Sequence, residues 1–190
     1  MTGAASPARA VFLDRDGTVN QERDYLFRPE EFVFVPGAPA AIRLLKETGF
    51  LVVVVTNQSG IARGYYDEAA MHRLHRHMDG LLAREGAAVD AYYFCPHHPD
   101  GTVERYRTVC ACRKPLPGML LQAATEHRID LFASFIIGDK LVDVEAGRAA
   151  GCRPVLVETG YGATEKARLT TDVPVFASIV EAAHWIAGGA

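Results

Sequence analysis

"VFLDRDGTVN", residues 11–20, sets three apolar residues directly against two aspartates one residue apart, followed by a glycine, two β-branched residues and an asparagine. The apolar run predicts a buried strand with Asp14 and Asp16 at its carboxyl end. Asp and Gly are also ordinary turn residues, so the pair alone is equally well explained as the end of a strand. What the other strands carry at their ends decides between the two readings.

Four more runs follow: "LVVVVT" (51–56), "AYYF" (91–94), "SFIIG" (134–138) and "RPVLV" (153–157). They alternate with stretches of helical period. After Pro36, Ala38, Ile42 and Leu45 recur at helical spacing until Gly49, and from 67 to 85 Ala70, Leu74, Met78, Leu81 and Leu82 form one stripe before Gly86. Further helices are expected near 116–127, 141–150 and 178–187. The alternation predicts an α/β protein, a three-layer Rossmann-like and mostly parallel sheet with helices on both faces. The runs at 51–56 and 134–138 are apolar at nearly every position, as in strands covered on both faces. Ligands in such sheets bind beyond the carboxyl ends of the strands, where Asp14, Thr56 and Asp139 would meet. Residues 21–50 and 59–113 are accounted for by a loop, helices, a strand and a cysteine-bearing loop. A single domain over 1–190 with no separate cap domain is therefore expected.

With 190 residues and 49% apolar composition the chain can bury an ordinary core without disulfides. The net charge of -3, with Lys and Arg neither in excess nor in runs, argues against a nucleic-acid partner. "MTGAASPARA" (1–10) is too short and too poor in large apolar residues for a secretory signal, and no run approaches the ~18 residues of a membrane span. A cytoplasmic monomer without a membrane partner is the expectation. Cysteines stand at 95, 110, 112 and 152, three together and one apart, which fits a metal site better than a disulfide framework.

The remaining strand ends weigh against a merely structural Asp-x-Asp. "LVVVVTNQSGIARG" leaves Thr56 and Asn57 where a hydroxyl and amides could hold a phosphoryl group, and "CRKP" offers Lys114 as a cation. "FIIGDKLVDVEAG" adds Asp139 and Asp143. Carboxylates converging at one point repel each other unless a cation sits between them, and hard oxygen ligands favour Mg²⁺.

In order and placement, "DRDGT", "TNQSG", "RKP" and "GDKLVD" resemble the four motifs of the haloacid dehalogenase superfamily of phosphatases, and the likeness spans nearly the whole chain. The resemblance implies that Asp14 is a nucleophile and Asp16 a general acid and base whose working pKa is raised. It implies a Mg²⁺ held by Asp14, Asp139 and the backbone carbonyl of Asp16, with Lys114 offsetting transition-state charge. Thr56, Asn57, Gln58, Ser59, Arg113, Lys114 and Lys140 are the candidate substrate-binding residues around that centre. Asp143 fits either a residue that orients a ligand or a plain helix-start aspartate, and stands outside the catalytic set.

"CPHHPDGTVERYRTVCAC" (95–112) places a C-x-H pair and a C-x-C pair on the two sides of a loop. Two tight pairs of such ligands suit a closed, structural, tetrahedral Zn²⁺ site, although a reduced loop with buried thiols is the alternative. The spacing does not choose between His97 and His98. This loop, with "CRKP", resembles the histidinol-phosphatase-like branch of the superfamily and within it the heptose bisphosphate phosphatases. That likeness implies Cys95, His97, Cys110 and Cys112 as the zinc ligands. His72 and His75 have no carboxylate at a useful offset, so a solvated helix face is expected for them. Cys152 is expected to be packing.

Without a cap, specificity would come from loops, chiefly "QERDYLFRPEEF" (21–32), where the resemblance implies Glu22, Arg23, Asp24 and Tyr25 as sugar contacts. Arg113 beside Lys114 provides more positive charge than one phosphate needs, which favours a small sugar bisphosphate. Histidinol phosphate is the alternative substrate. An idle zinc-braced module that only captures phosphorylated ligands is the alternative class, disfavoured because a binder has no use for a nucleophile paired with an acid.

Overall fold

A computed structural model of the chain describes residues 6–170 and 172–190. Residues 1–5, the start of the stretch read above as too short for a secretory signal, lie outside the described residues. Six strands, β1 (Arg9–Leu13), β2 (Phe50–Asn57), β3 (Ala91–Cys95), β4 (Phe135–Gly138), β5 (Arg153–Val157) and β6 (Val175–Phe176), pair in parallel in the order β3-β2-β1-β4-β5-β6. The helices are α1 (Ala38–Glu47), α2 (Ser59–Ala62), α3 (Glu68–Arg84), α4 (Gly118–His127), α5 (Leu141–Ala150), α6 (Gly162–Lys166) and α7 (Ile179–Ala187).

The alternation along β1 explains the layering. Val11 and Leu13 point into a core shared with Ile42 and Leu45 of α1, Leu74 and Met78 of α3, and Ile179 and Ala183 of α7. Ala10 and Phe12 point the other way, against Met119, Leu120 and Ala123 of α4 and Ala146 of α5. Because β1 lies between β2 and β4, its carboxyl end sits where the strand order changes direction. That is the crevice where open α/β sheets bind ligands.

The expected strands and long helices are present. Elements α2, α6 and β6 were not anticipated, since pieces of 4, 5 and 2 residues are too short to show a period. Helix α3 begins where its cap predicts, with the Asp67 side chain accepting from the Ala70 N–H at 2.7 Å. The expectation of a solvated face holds for His72, which is exposed, and fails for His75, which is 4% exposed. Met71 joins Leu74 and Met78 among the buried residues, so α3 buries a wider face than one stripe, and His75 stacks on Tyr92 of β3 at 4.4 Å. Among the described residues no helix is long and apolar enough to cross a membrane, and no inserted domain interrupts the sheet.

Two glycines test this packing. A Cβ on Gly138, the last residue of β4, would lie 2.3 Å from the Asp143 Cβ, whereas one on Gly80 in α3 would meet nothing within 4 Å. Gly138→Ala should lower unfolding free energy by about 1–3 kcal/mol. Gly80→Ala should raise it by about 0.4–1 kcal/mol, both read from denaturant titrations.

Candidate active site

Lys114 is 3% exposed, yet its ammonium is the hub of the strand ends. Nζ lies 2.9 Å from Asp14 Oδ1, 2.8 Å from the Val55 carbonyl and 2.5 Å from Asp143 Oδ1. Burial disfavours the charged lysine, but Asp14 and Asp143 outweigh it and hold its pKa above the ordinary value. Burial lifts Asp143 to about 6 against the pull of the Lys114 ammonium. Its other oxygen accepts from the Lys140 N–H at 3.1 Å. Asp143 is thus both a helix-start residue and a partner of Lys114, so the two readings left open by the sequence are joined in one side chain.

Asn57 fixes where Lys114 stands. Its Nδ2 donates to the Lys114 carbonyl at 3.0 Å, and its Oδ1 accepts from the Lys114 N–H at 3.1 Å. The side-chain amide foreseen as a phosphoryl contact is engaged as a brace. Thr56, buried at the end of β2, accepts from Gln58 Nε2 at 2.8 Å, which leaves its own hydroxyl proton to donate elsewhere.

Asp139, at the end of β4, is wholly buried. Gly17 and Gly160 crowd it so closely that a Cβ on either would fall 2.2 Å from Oδ2, and both hold positive φ, +85° and +59°. Oδ2 accepts from the Tyr161 N–H at 2.8 Å, while Oδ1 has no hydrogen-bond partner among the described residues. Burial first, and the neighbouring Asp14 second, push the Asp139 carboxyl up to about 8. Ligand atoms of Asp14, Asp139 and Asp143 all lie within 4.8 Å of one another. An orphaned oxygen and all-oxygen donors with one lysine for three carboxylates fit a hard divalent cation such as Mg²⁺.

Asp16 stands beside this cluster, not in it. Arg15 Nη2 contacts Asp16 Oδ1 and Oδ2 at 2.9 and 2.8 Å, Asn20 Nδ2 donates to Oδ1 at 3.0 Å and Gln58 Nε2 to Oδ2 at 3.1 Å. Burial raises the Asp16 pKa, but Arg15 and these amides outweigh it and leave the carboxyl below its usual range. The raised value expected of an acid is therefore not met in this arrangement, because these four contacts from three side chains stabilise the carboxylate.

Two cavities open over these residues. The inner is lined by Asp14, Asp16, Thr56, Asn57, Lys114, Lys140, Val142 and Asp143. The outer cleft shares Asp16, Asn57 and Lys140 with it and adds Glu22, Arg23, Asp24, Tyr25, Leu26, Gln58, Ser59, Tyr66 and Tyr161. The 22–25 loop, Gln58, Ser59 and Lys140 are thus brought together as expected. Lys140 reaches Glu22 Oε2 at 2.8 Å and lies 4.6 Å over the Tyr161 ring. Arg113 lines neither cavity, and its Nη1 donates to the His97 carbonyl at 3.3 Å. Sequence reasoning missed Tyr66 and Tyr161, for which "TNQSG" and "GDKLVD" give no signal.

Cys95, His97, Cys110 and Cys112 form the second cluster. Their sulfurs lie 3.1–3.4 Å apart, and His97 Nδ1 is 3.4 Å from Cys112 Sγ and 3.8 Å from Cys95 Sγ. These separations are too long for disulfides and approach the edges of a tetrahedron with Zn–S of about 2.3 Å. The donor set therefore fits zinc. His98 turns away, with Nε2 3.4 Å from Arg63 Nη2, and Cys152 is buried elsewhere.

Residues 111–182 match the model of the HAD-hydrolase-like family. The chain is 50% identical over 164 residues to D-glycero-beta-D-manno-heptose-1,7-bisphosphate 7-phosphatase of Yersinia pestis, covering 86% of this chain and 87% of that enzyme. It is 48% identical over 169 residues to the enzyme of the same name from Escherichia coli (strain K12), 88% of each chain. It is also similar to the crystal structure of D,D-heptose 1,7-bisphosphate phosphatase from B. bronchiseptica complexed with magnesium and phosphate, with a TM-score of 0.86, 39% identity, and coverage of 96% of this chain and 99% of that one. Parallel sheet, strand-end carboxylates and buried lysine are those of a haloacid dehalogenase-like phosphatase. Within that class the chain belongs to the heptose-1,7-bisphosphate 7-phosphatase family.

Two metal predictions follow from the two clusters. Between the unfolded pKa of 3.8 and the folded value of about 8, folded Asp139 keeps a proton that the unfolded chain releases. Stability of Mg²⁺-free protein should therefore fall as pH rises across that window. Asp139→Asn should flatten this slope and remove the rise in Tm on adding Mg²⁺, as followed by thermal melts at several pH values. For the thiolate cluster, Cys110→Ala should abolish tightly bound zinc in metal analysis and lower Tm, whereas Cys152→Ser should leave zinc content unchanged.

Proposed function

We propose that the protein removes the 7-phosphate of D-glycero-β-D-manno-heptose 1,7-bisphosphate through an aspartyl-phosphate on Asp14, leaving the 1-phosphate in place. The observation that carries the chemistry is the Asp14 carboxylate held by the buried Lys114 ammonium at the floor of the inner cavity. The identity of the sugar is supported by relatives of that name at about half identity over most of the chain.

Asp14 attacks the phosphorus of the terminal phosphate seated in the inner cavity. One Asp14 oxygen is held by Lys114, which fixes the carboxylate and offsets charge on the phosphoryl oxygens. Asp16 lines both cavities, at the boundary where the bridging ester oxygen would lie. There the negative charge of a bound phosphate raises the pKa that Arg15, Asn20 and Gln58 lower in its absence, so that Asp16 gives a proton to the departing alkoxide, then takes one from the water that cleaves the aspartyl-phosphate. The Thr56 hydroxyl is a phosphoryl donor. A Mg²⁺ bound by Asp14, Asp139 and the Asp16 backbone carbonyl would supply Lewis-acid stabilisation of the phosphoryl oxygens. A Zn²⁺ in the Cys95, His97, Cys110 and Cys112 cluster would hold the loop that ends in Lys114.

The sugar lies in the outer cleft, its hydroxyls within reach of the 22–25 loop. Arg23 and Lys140 are the cations lining that cleft, and Arg113 reaches a second phosphate only by leaving the His97 carbonyl. Glu22 and Asp24 in the same lining favour a second substrate, histidinol phosphate, whose amine needs acidic company.

Asp14→Asn should stay folded and lose turnover completely. Asp16→Asn should lose about 10²–10⁴-fold and accumulate phosphorylated Asp14, detectable by intact-mass measurement. Phosphate release across sugar bisphosphates and histidinol phosphate should give the highest kcat/KM for the heptose bisphosphate. A higher value for histidinol phosphate would transfer the assignment to that substrate.

A further inference from the structure

The mechanism leaves the buried imidazole of His75 unused. His75 interrupts the apolar face that α3 buries with Met71, Leu74, Met78 and Leu82. Its Nε2 lies 3.3 Å from Arg15 Nη1. A guanidinium has only donors, so Nε2 accepts and the ring proton sits on Nδ1. Nδ1 is itself buried without a hydrogen-bond partner among the described residues. A leucine would fill the same space without that orphan, so the polar contact His75 makes is the one to Arg15. Burial, with the neighbouring guanidinium second, drives the imidazole down to about 3, which keeps it the neutral acceptor this contact requires. Its ring is held from the side by stacking on Tyr92, whose hydroxyl donates to Asp79 at 2.5 Å.

Arg15 carries that constraint to the site. Its side chain is 1% exposed, with Nη2 on both Asp16 oxygens and on the Leu26 carbonyl at 3.2 Å, and Nε on Asp16 Oδ1 at 3.3 Å. The guanidinium therefore has one edge on Asp16 and the other on His75. We propose that His75 is a positioning residue that acts through Arg15 to hold the Asp16 carboxyl at the boundary of the two cavities. The inference rests on the acid–base assignment of Asp16.

The test compares two amides. A glutamine side chain in place of His75 would carry its amide to the position of the imidazole Nε2, and an asparagine side chain only to that of Nδ1. H75Q should therefore keep the contact to Arg15 and H75N should lose it. Each variant is assayed on heptose bisphosphate, whose alkoxide must be protonated to leave, and on p-nitrophenyl phosphate, whose nitrophenolate leaves unaided. With the sugar, H75N should lower kcat by about 10–100-fold with KM within about threefold, and the nitrophenolate burst rate should change by less than about threefold. H75Q should stay within about threefold of wild type on both. Burst amplitude counts folded sites, so a folding defect reads as fewer sites and not as a slower rate. If H75N yields no folded sites, H75L is assayed in its place with the same expectation.

Equal losses on both substrates, a change confined to KM, no loss at all, or equal behaviour of H75N and H75Q would each overturn the inference. They would leave the phosphatase reading standing. A wild-type protein inactive on both substrates would instead overturn the phosphatase reading and the inference with it.

Discussion

A single buried ammonium organises this molecule. Lys114 is stripped of water and compensated by Asp14 from the end of β1, Asp143 from the start of α5 and the Val55 carbonyl of β2. Removing one partner of such a pair leaves an uncompensated buried charge and typically costs about 3–5 kcal/mol. The segment bearing Lys114 therefore cannot drift without penalty, and the strand ends cannot separate. Asn57 and the cysteine cluster hold the same segment from its backbone and from two residues upstream.

Charge counting links that constraint to chemistry. Three carboxylates crowd within 4.8 Å, Lys114 pairs with Asp14 and Asp143, and the nearby Lys140 is shared with Glu22, so the cluster holds excess negative charge at a site proposed to accept a phosphate. Asp139 accordingly takes up a proton in the cation-free protein, at a pKa of about 8. Asp14 and Asp139 would give up that proton on holding a divalent ion, whose charge would offset the repulsion between the cluster and a phosphate. The Asp16 carboxylate, by contrast, has its own cation in Arg15, which separates its electrostatics from those of its neighbour two residues earlier.

Much of this was legible in the sequence. Strands β2 and β4 announce themselves because burial on both faces makes them apolar at nearly every position, β1 and β5 show apolar runs after an exposed arginine, and the order of motifs places Asp14, Thr56, Lys114 and Asp139 at one edge. The four zinc-type ligands are readable from two tight pairs, although choosing His97 over His98 needed a resemblance. What was hidden depends on partners distant in sequence. A helix-start aspartate reads the same whether it faces water or a buried lysine, so Asp143 was undervalued. His75 follows the apolar pattern of α3 by one position and looks solvated until Arg15 and Tyr92 are placed around it. Asn57 lines both cavities while its side-chain amide braces the Lys114 backbone, and Arg113 lines neither and engages the His97 carbonyl, contacts that no local pattern announces.

The central position of β1 also has a consequence for how the chain folds. Residues 14 and 114 meet across a sheet whose first strand is flanked by the second and the fourth, so β1 cannot be covered on both sides until residues 135–138 have docked. Such long-range pairing is slow to form, because loop closure precedes the contacts that reward it. A chain emerging from synthesis would hold β1 with one edge open and Asp14 lacking its Asp139 neighbour until more than two thirds of the sequence had appeared. Catalytic competence is thus a late event, and recovered activity during refolding reports completion of the sheet and not collapse of its first half.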